Sequence, residues 1–411
     1  MSGPIGSVAP SAAPSGAPSG APSGRALVAI ILPRSAAAVA VARAWDAGEA
    51  VTVLDPTAPP GMRARLLDLL RPTHVLDEDG RRDASGGVGV AGDTAAVVVT
   101  SGTTAAPKGV ELTATGLEAM GAGFATAFGT PPTDRWLVCL PLHHVAGLAI
   151  LARARVSGAG LVVHDGFDLG AVASSPATEQ TTLVSLVPTM LHRLLAADAP
   201  LHSFRRIVTG GAPLPPAVRA HATAAGAQVV DAYGMSETWG GILLDGTPIA
   251  GAAVTLGDDA EVLVRGPMVM RGYRLRPDET AAAFTPDGWL RTGDIGVQDP
   301  DGSVRIVDRQ KDLVISGGVN VSPRAVEEAL ADHPEIDDVA VAGAADAEWG
   351  ERVVAYVVPR DPRAPITLAD VRAFGSESLA AAALPRDLVL VDAIPRTTGG
   401  KILRRELRRP T

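Results

Sequence analysis

Between Leu27 and about residue 230, short β-branched runs alternate with Ala/Leu-rich stretches, and this alternation constrains the fold more than any other feature. Strands are expected at 96–100, 136–140, 160–163, 182–187, 205–208 and 227–230, and helices at 115–127, 188–197 and 215–225. Such an order buries the apolar face of every element only if helices cover sheets in layers, which is an α/β architecture. After Gly246 the pattern changes to strands and turns, at 260–265, 294–297 and 303–307. A last unit starts near Arg309, with a strand at 312–315, a helix at 322–331, strands at 337–342 and 352–358, a helix at 367–380 and a strand at 387–391. This reads as a small α+β domain. A chain of 411 residues exceeds one ordinary core, so we expect a large layered α/β domain over 25–308 and a small one over 309–411. The polar junction Asp308-Arg309-Gln310-Lys311-Asp312 suits a hinge.

Residues 1–24 carry no charge and read as repeated Gly-Ala-Pro-Ser, the composition of a disordered tail. They lack the basic and apolar regions of a signal peptide. Pro33, Arg34 and Arg43 interrupt the apolar stretch from Ala26 to Trp45, which excludes it as a membrane span. A cytoplasmic protein is expected. The net charge of -9 argues against a nucleic-acid binder, since no broad basic face is offered to phosphates. The single cysteine, Cys139, excludes an intramolecular disulfide and any multi-cysteine zinc site.

Of 36 basic residues only Lys108, Lys311 and Lys401 are lysines. In a chain that accepts arginine so freely, a retained lysine points to a need for a compact ammonium on a flexible stem. Lys108 ends Thr100-Ser101-Gly102-Thr103-Thr104-Ala105-Ala106-Pro107-Lys108, which follows a strand. Hydroxyls, glycine and a mobile cation at a strand end suit a polyphosphate cradle, with a polar hairpin as the bland alternative. It is no Walker A loop, because Pro107 precedes the lysine and no Ser/Thr follows. Gly87-Val88-Gly89-Val90-Ala91-Gly92 matches a dinucleotide fingerprint but lacks the preceding strand and following helix, so it is discarded. Tyr233-Gly234-Met235-Ser236-Glu237-Thr238 groups a ring, a hydroxyl and a carboxylate that could stack on a base, meet a phosphate and hold Mg²⁺.

Together these segments resemble the adenylate-forming acyl-CoA synthetase family. Leu140-Pro141-Leu142-His143-His144-Val145-Ala146-Gly147, Gly210-Gly211-Ala212-Pro213, Arg291-Thr292-Gly293-Asp294, Arg309 to Gly318 and Pro395 to Lys401 complete the set in family order. All three lysines fall inside it. The resemblance implies ATP, Mg²⁺ and CoA as co-substrates and cofactor, and a carboxylic acid as the acyl donor. By the same resemblance Ser101, Gly102, Thr103, Thr104 and Lys108 would hold the β- and γ-phosphates. Tyr233 would lie on adenine, with Gly211 and Gly234 beside the nucleotide. Ser236 would touch the α-phosphate, Glu237 would hold Mg²⁺, and Asp294 would accept the ribose hydroxyls with Arg309 near it. Lys401 would bridge the substrate carboxylate and the α-phosphate. Lys311 takes the hinge position, and Gly317 and Gly318 would line the pantetheine channel. A mobile small domain and a homodimer are further expectations from the family.

Two departures are visible: Ala105 stands where the family usually has glycine, and the part before Thr100 is abridged. A short chain with His-His-Val-Ala-Gly-Leu and an arginine nine residues after His144 is most similar, within the family, to the actinobacterial o-succinylbenzoate–CoA ligases of menaquinone synthesis. That acid has a spectator carboxylate, for which Arg153 is the candidate, its guanidinium matching a carboxylate fork. The alternative places Arg153 in solvent at the end of helix 147–155, as in an aryl- or alkanoyl-CoA ligase. His144, Gly210 and Gly211 would wall the acyl pocket, and His143 would pack. A catalytically silent nucleotide-binding relative is the reading from a different class.

Overall fold

The computed structural model describes residues 24–100, 107–397 and 400–407. Two seven-stranded sheets dominate it. The first runs Gly272–Tyr273, Lys108–Thr113, Thr94–Thr100, Ala50–Val53, Leu27–Ile30, His74–Asp77, Gly80–Asp83 from edge to edge. The second runs Thr247–Pro248, Gly240–Leu244, Val229–Met235, Arg206–Gly210, Leu183–Leu186, Arg135–Val138, Gly160–Val163. Successive residues of a strand face opposite ways, so each sheet has two apolar faces to cover. Val28, Ile30 and Val98 of the first sheet and Trp136, Val138, Leu183 and Val208 of the second join one core, which encloses the helices Arg34–Asp46, Ala114–Phe128 and Val145–Ser157. Leu137, Val184, Leu186 and Ile207 face the other way, onto helices Pro188–Ala196 and Pro216–Ala224. Leu27, Ala50 and Val97 face Leu54 and helix Pro60–Leu70. The result is five layers, helix–sheet–helix–sheet–helix, as the alternating pattern implies.

A four-stranded antiparallel sheet follows: Ala253–Leu256, Glu261–Arg265, Leu290–Gln298, Val304–Arg309. The last sheet joins Val319–Val321, Val314–Ser316, Gly350–Pro359 and Ile336–Asp346, with Asp387–Leu390 added in parallel to Gly350–Pro359. Helices Pro323–Leu330 and Leu368–Gly375 cover it, and Val314, Val326, Val341, Val353 and Val371 form its own core. The fold class is therefore a large layered α/β part followed by a small α+β part.

Several boundaries differ from expectation. The strand expected at 227–230 continues to Met235, because Val229–Met235 gains an antiparallel partner in Gly240–Leu244. The helix expected at 367–380 stops at Gly375. Thr100 pairs with Lys108, so a strand, Lys108–Thr113, follows the hydroxyl-rich segment, whose residues 101–106 lie outside the described residues. Gly87 belongs to no binding loop; a Cβ there would stand 2.5 Å from the Pro72 carbonyl. Buried Arg274 ties this region together, donating to the carbonyls of Leu70, Arg71, Val88 and Gly89 and pairing with Glu111 at 3.0 Å. No helix among the described residues is long and apolar enough to cross a membrane.

Candidate active site

Parallel strands of an open α/β sheet present ligands at their carboxyl ends, and Gly210 and Tyr233 stand at such ends. Tyr233 lies near the end of Val229–Met235 and donates its hydroxyl to Asp294 Oδ2 at 2.6 Å. Asp294 and Arg309 face each other across neighbouring strands of the third sheet, and Arg309 Nε meets Asp294 Oδ1 at 2.9 Å. Burial raises the carboxyl of Asp294, while Arg309 and the Tyr233 hydroxyl oppose that effect and Lys401 adds to the opposition. Each oxygen thus has one protein donor, and a carboxylate oxygen retains a further lone pair for a ligand hydroxyl. Gly234 has a structural role of its own. A Cβ there would lie 1.7 Å from the Gly240 carbonyl, so only glycine lets these two strands cross so closely.

Beyond Met235 the chain makes the turn Ser236–Thr238, with Ser236 half-buried and Glu237 buried. Glu237 accepts from the Tyr273 hydroxyl at 3.0 Å through Oε1. Lys108, first residue of its strand, pairs with Glu279 at 2.6 Å and lies 4.5 Å from the centre of the Tyr273 ring. Ser101, Gly102, Thr103 and Thr104, with Ala105, lie outside the described residues. Among the described residues no three His, Cys, Asp or Glu cluster as a metal cage. Glu237 nonetheless fits Mg²⁺, which commonly takes one or two carboxylates together with substrate phosphates, and it has one oxygen not used by Tyr273.

On the acyl side, His144 precedes helix Val145–Ser157, and its ring lies 4.4 Å from that of His143. Burial, reinforced by His143, pushes His144 down to about 4, with Asp55 opposing, so it is neutral at physiological pH. Gly210 and Gly211 end the neighbouring strand Arg206–Gly210. Arg153 is buried at 5% exposure, which overturns its alternative placement in solvent. Arg155, its neighbour on the helix, is the outward-facing one and pairs with Asp46. The Arg153 guanidinium lies 3.7 Å from the Phe124 ring centre and donates to Ser185 Oγ at 3.4 Å, while its Nε has no acceptor. Among the described residues no carboxylate pairs with it, and burial alone pulls it down to about 9. Ser185 pairs with Val208, two residues before Gly210.

From the small part, Gly400 comes up to helix Pro188–Ala196: a Cβ on it would stand 3.0 Å from Thr189. This brings Lys401 within electrostatic reach of Asp294, Arg309, Lys311 and Asp312, and burial first, then Arg309, lowers its ammonium to about 8. Lys311 sits in the turn Gln310–Asp312 and is likewise lowered by burial. Gly317 and Gly318, both with positive φ (60° and 78°), make the two-residue turn of a hairpin, the geometry for which glycine is favoured. Gly317 donates to the Trp349 carbonyl at 2.9 Å, so this turn is packed within the small part and is not joined to the Asp294 cluster. Tyr273, Glu279, Phe124 and Ser185 were not foreseen. Their residue types carry no motif, and only tertiary pairing brings them to the site.

The arrangement defines a nucleotide- and acid-binding site shared between a large α/β part and a small α+β part. The chain matches the AMP-binding enzyme family over residues 87–274 and the AMP-binding enzyme C-terminal domain over 325–401. It is 34% identical over 337 residues to the 2-succinylbenzoate–CoA ligase of Bacillus licheniformis, covering 77% of this chain and 70% of the relative. It is 35% identical over 362 residues to the probable 2-succinylbenzoate–CoA ligase of Mycobacterium tuberculosis, covering 85% and 89%. The o-succinylbenzoate CoA synthetase of Bacillus subtilis in complex with its acyl-adenylate intermediate superposes with a TM-score of 0.83 at 28% identity, over 95% of this chain and 89% of that one. The Bacillus subtilis enzyme with ATP and a magnesium ion gives 0.82 at 28% identity, over 94% and 90%. The chain belongs to the AMP-binding, adenylate-forming enzyme family.

Proposed function

We propose that this chain is an ATP-dependent carboxylate–CoA ligase whose acid is o-succinylbenzoate, converted to o-succinylbenzoyl-CoA for menaquinone biosynthesis in the cytoplasm. Arg153 carries the substrate reading: a buried guanidinium that meets no acidic partner among the described residues. An uncompensated buried charge is costly, and a substrate carboxylate would complete it. The relatives named as 2-succinylbenzoate–CoA ligases support the same assignment.

In the first half-reaction a carboxylate oxygen of the acid attacks the α-phosphorus of ATP, forming the acyl–O–P bond as pyrophosphate leaves. Like charges meet in that step, so its catalysis consists mainly of positioning and neutralisation. Tyr233, Gly211, Gly234 and Asp294 with Arg309 would fix the adenosine, Lys108 with 101–104 the β- and γ-phosphates, and Ser236 the α-phosphate. Lys401 would offset the charge growing between the carboxylate and the α-phosphate. Mg²⁺, held by Glu237, would neutralise phosphate charge. In the second half-reaction the CoA sulfur attacks the acyl carbon, AMP departs, and the thiol proton is released. Lys401 would then obstruct the thiol, and we assign residues 309–411 as the part that turns about Lys311 to bring Gly317 and Gly318 to the pantetheine. A homodimer is part of the same proposal.

The test is AMP release dependent on ATP and CoA, with o-succinylbenzoate, benzoate, a medium-chain fatty acid and no acid in parallel. Turnover confined to o-succinylbenzoate is expected. Equal or faster turnover with benzoate or the fatty acid would overturn the substrate assignment and keep the ligase class. Sedimentation of the full chain checks the dimer.

A further inference from the structure

The outer edge of strand Lys108–Thr113 is covered by Gly272 and Tyr273, which pair with Glu111 and Val110. That register sets the Tyr273 ring beside the Lys108 ammonium, 4.5 Å from the ring centre. The chain then folds back on itself. Thr280 Oγ1 accepts from the Tyr273 N–H at 2.8 Å and donates to the Arg276 carbonyl at 2.8 Å, holding the short helix Pro277–Ala282 against Tyr273. Glu279 of that helix therefore meets Lys108 at 2.6 Å. On the opposite side the Tyr273 hydroxyl donates to Glu237. Burial and the neighbouring Glu237 charge raise this phenol, which keeps it a donor. A single ring thus touches both Lys108 and Glu237, which lie 129 positions apart in the chain.

We propose that Glu279 is the resting partner of Lys108, exchanged for the nucleotide polyphosphate on binding, and that Tyr273 is the positioning residue that keeps Lys108 and Glu237 in register through the exchange. This rests on the assignment of Lys108 and Glu237 to the phosphates and Mg²⁺. A carboxylate and a phosphate compete for the same ammonium protons, so the pair must open for Lys108 to serve the nucleotide. Glu279 is not stranded when it does: Arg276 holds its other oxygen at 2.5 Å. The Lys108 side chain is 26% exposed and that of Glu279 36%, so the pair is weak enough to yield. The same exchange in reverse recaptures Lys108 as pyrophosphate leaves.

The experiment is calorimetric binding of α,β-methylene-ATP, a non-cleavable analogue, to the full chain without any acid. Glu279→Gln keeps the shape and removes the competing charge. We expect it to tighten binding roughly three- to fivefold, an advantage that shrinks in high salt as the pair is screened. Tyr273→Phe keeps the ring and removes the donor to Glu237. For that variant the Mg²⁺ concentration giving half-maximal binding is expected to rise several-fold, with affinity at saturating Mg²⁺ unchanged. Equal or weaker analogue binding by Glu279→Gln overturns the exchange, and an unaltered Mg²⁺ dependence in Tyr273→Phe overturns the coupling. A parent chain with no affinity for the analogue overturns the nucleotide assignment itself, a result distinct from either.

Discussion

Replacing Arg153 by methionine should stabilise the free protein and damage its use of substrate, two effects of opposite sign from one side chain. The guanidinium is held down at about 9, far below its ordinary value and wholly by burial, which corresponds to roughly 5 kcal/mol against the charged form. Because the folded value is depressed, that penalty is fully present below pH 9 and is relieved only as pH rises from there toward the ordinary guanidinium value. The Phe124 ring at 3.7 Å and the Ser185 hydroxyl return part of it, about 2–3 kcal/mol together. Methionine keeps an unbranched apolar stem and discards the charge, so the free protein should gain about 2–3 kcal/mol, seen as a thermal midpoint higher by roughly 3 °C. The substrate loses a buried, charge-assisted contact of about 2–3 kcal/mol, which raises the KM for o-succinylbenzoate roughly 30- to 150-fold. The KM for ATP should stay as it was. The assays are differential scanning fluorimetry of the ligand-free chain and steady-state AMP release. A lower midpoint with an unchanged KM would show that Arg153 is a structural cation satisfied by Phe124 and Ser185, and the spectator-carboxylate argument would fail.

Lys401→Ala should reduce adenylate formation by about 10²- to 10³-fold, while CoA transfer from supplied acyl-adenylate stays measurable; equal loss in both half-reactions would refute the two-orientation assignment. The Lys401 ammonium lies at about 8, below its ordinary 10.5. In the folded chain its charge is therefore unfavourable below pH 8, and the burden lifts between 8 and 10.5. Adenylation kcat/KM should accordingly fall above pH 8, Lys401→Arg should move that limb to higher pH, and a limb that stays put would assign it elsewhere. Glu327, buried in the small part, pairs with Arg404 at 2.8 Å and accepts from the Val341 N–H at 2.7 Å. Glu327→Ala would leave Arg404 uncompensated just after Lys401, at a cost of about 3–5 kcal/mol; amide exchange in 336–346 should accelerate, and unchanged protection would show the pair to be dispensable.

The layers were legible because their cause is local. Alternation within a strand and Ala/Leu-rich stretches between strands determine which faces need cover, and the five layers follow. Strand ends were less so, because they depend on partners: Val229–Met235 runs past its β-branched start only because Gly240–Leu244 lies beside it. The site divides in the same way. Tyr233, Glu237, Asp294 and Lys401 stand in motifs that follow family order, so the resemblance names them, and the structure sets Tyr233 against Asp294 and brings Lys401 within electrostatic reach of it. Arg153 shows the limit. Its helix is apolar nearly all round, and nothing in residues 145–157 tells which arginine faces inward. Phe124, Trp136, Ser185 and Gly240 decide it, and they come from four separate elements.

The three lysines join both levels. Each was singled out because the chain otherwise uses arginine, and each sits where charge has to be held without a fixed fork. Lys108 is paired with Glu279 across a tyrosine ring, Lys401 is delivered beside Asp294 by a separate part of the chain, and Lys311 lies in the turn between the two parts. An arginine at 108 would tend to grip Glu279 bidentately and release it less readily. At 401 an arginine would stay fully charged well above pH 8, so the alkaline loss of adenylation would move to higher pH with the substitution. On the proposed mechanism, these scarce lysines would be the cations that change partners, or bring their charge to the site from elsewhere, during one catalytic cycle.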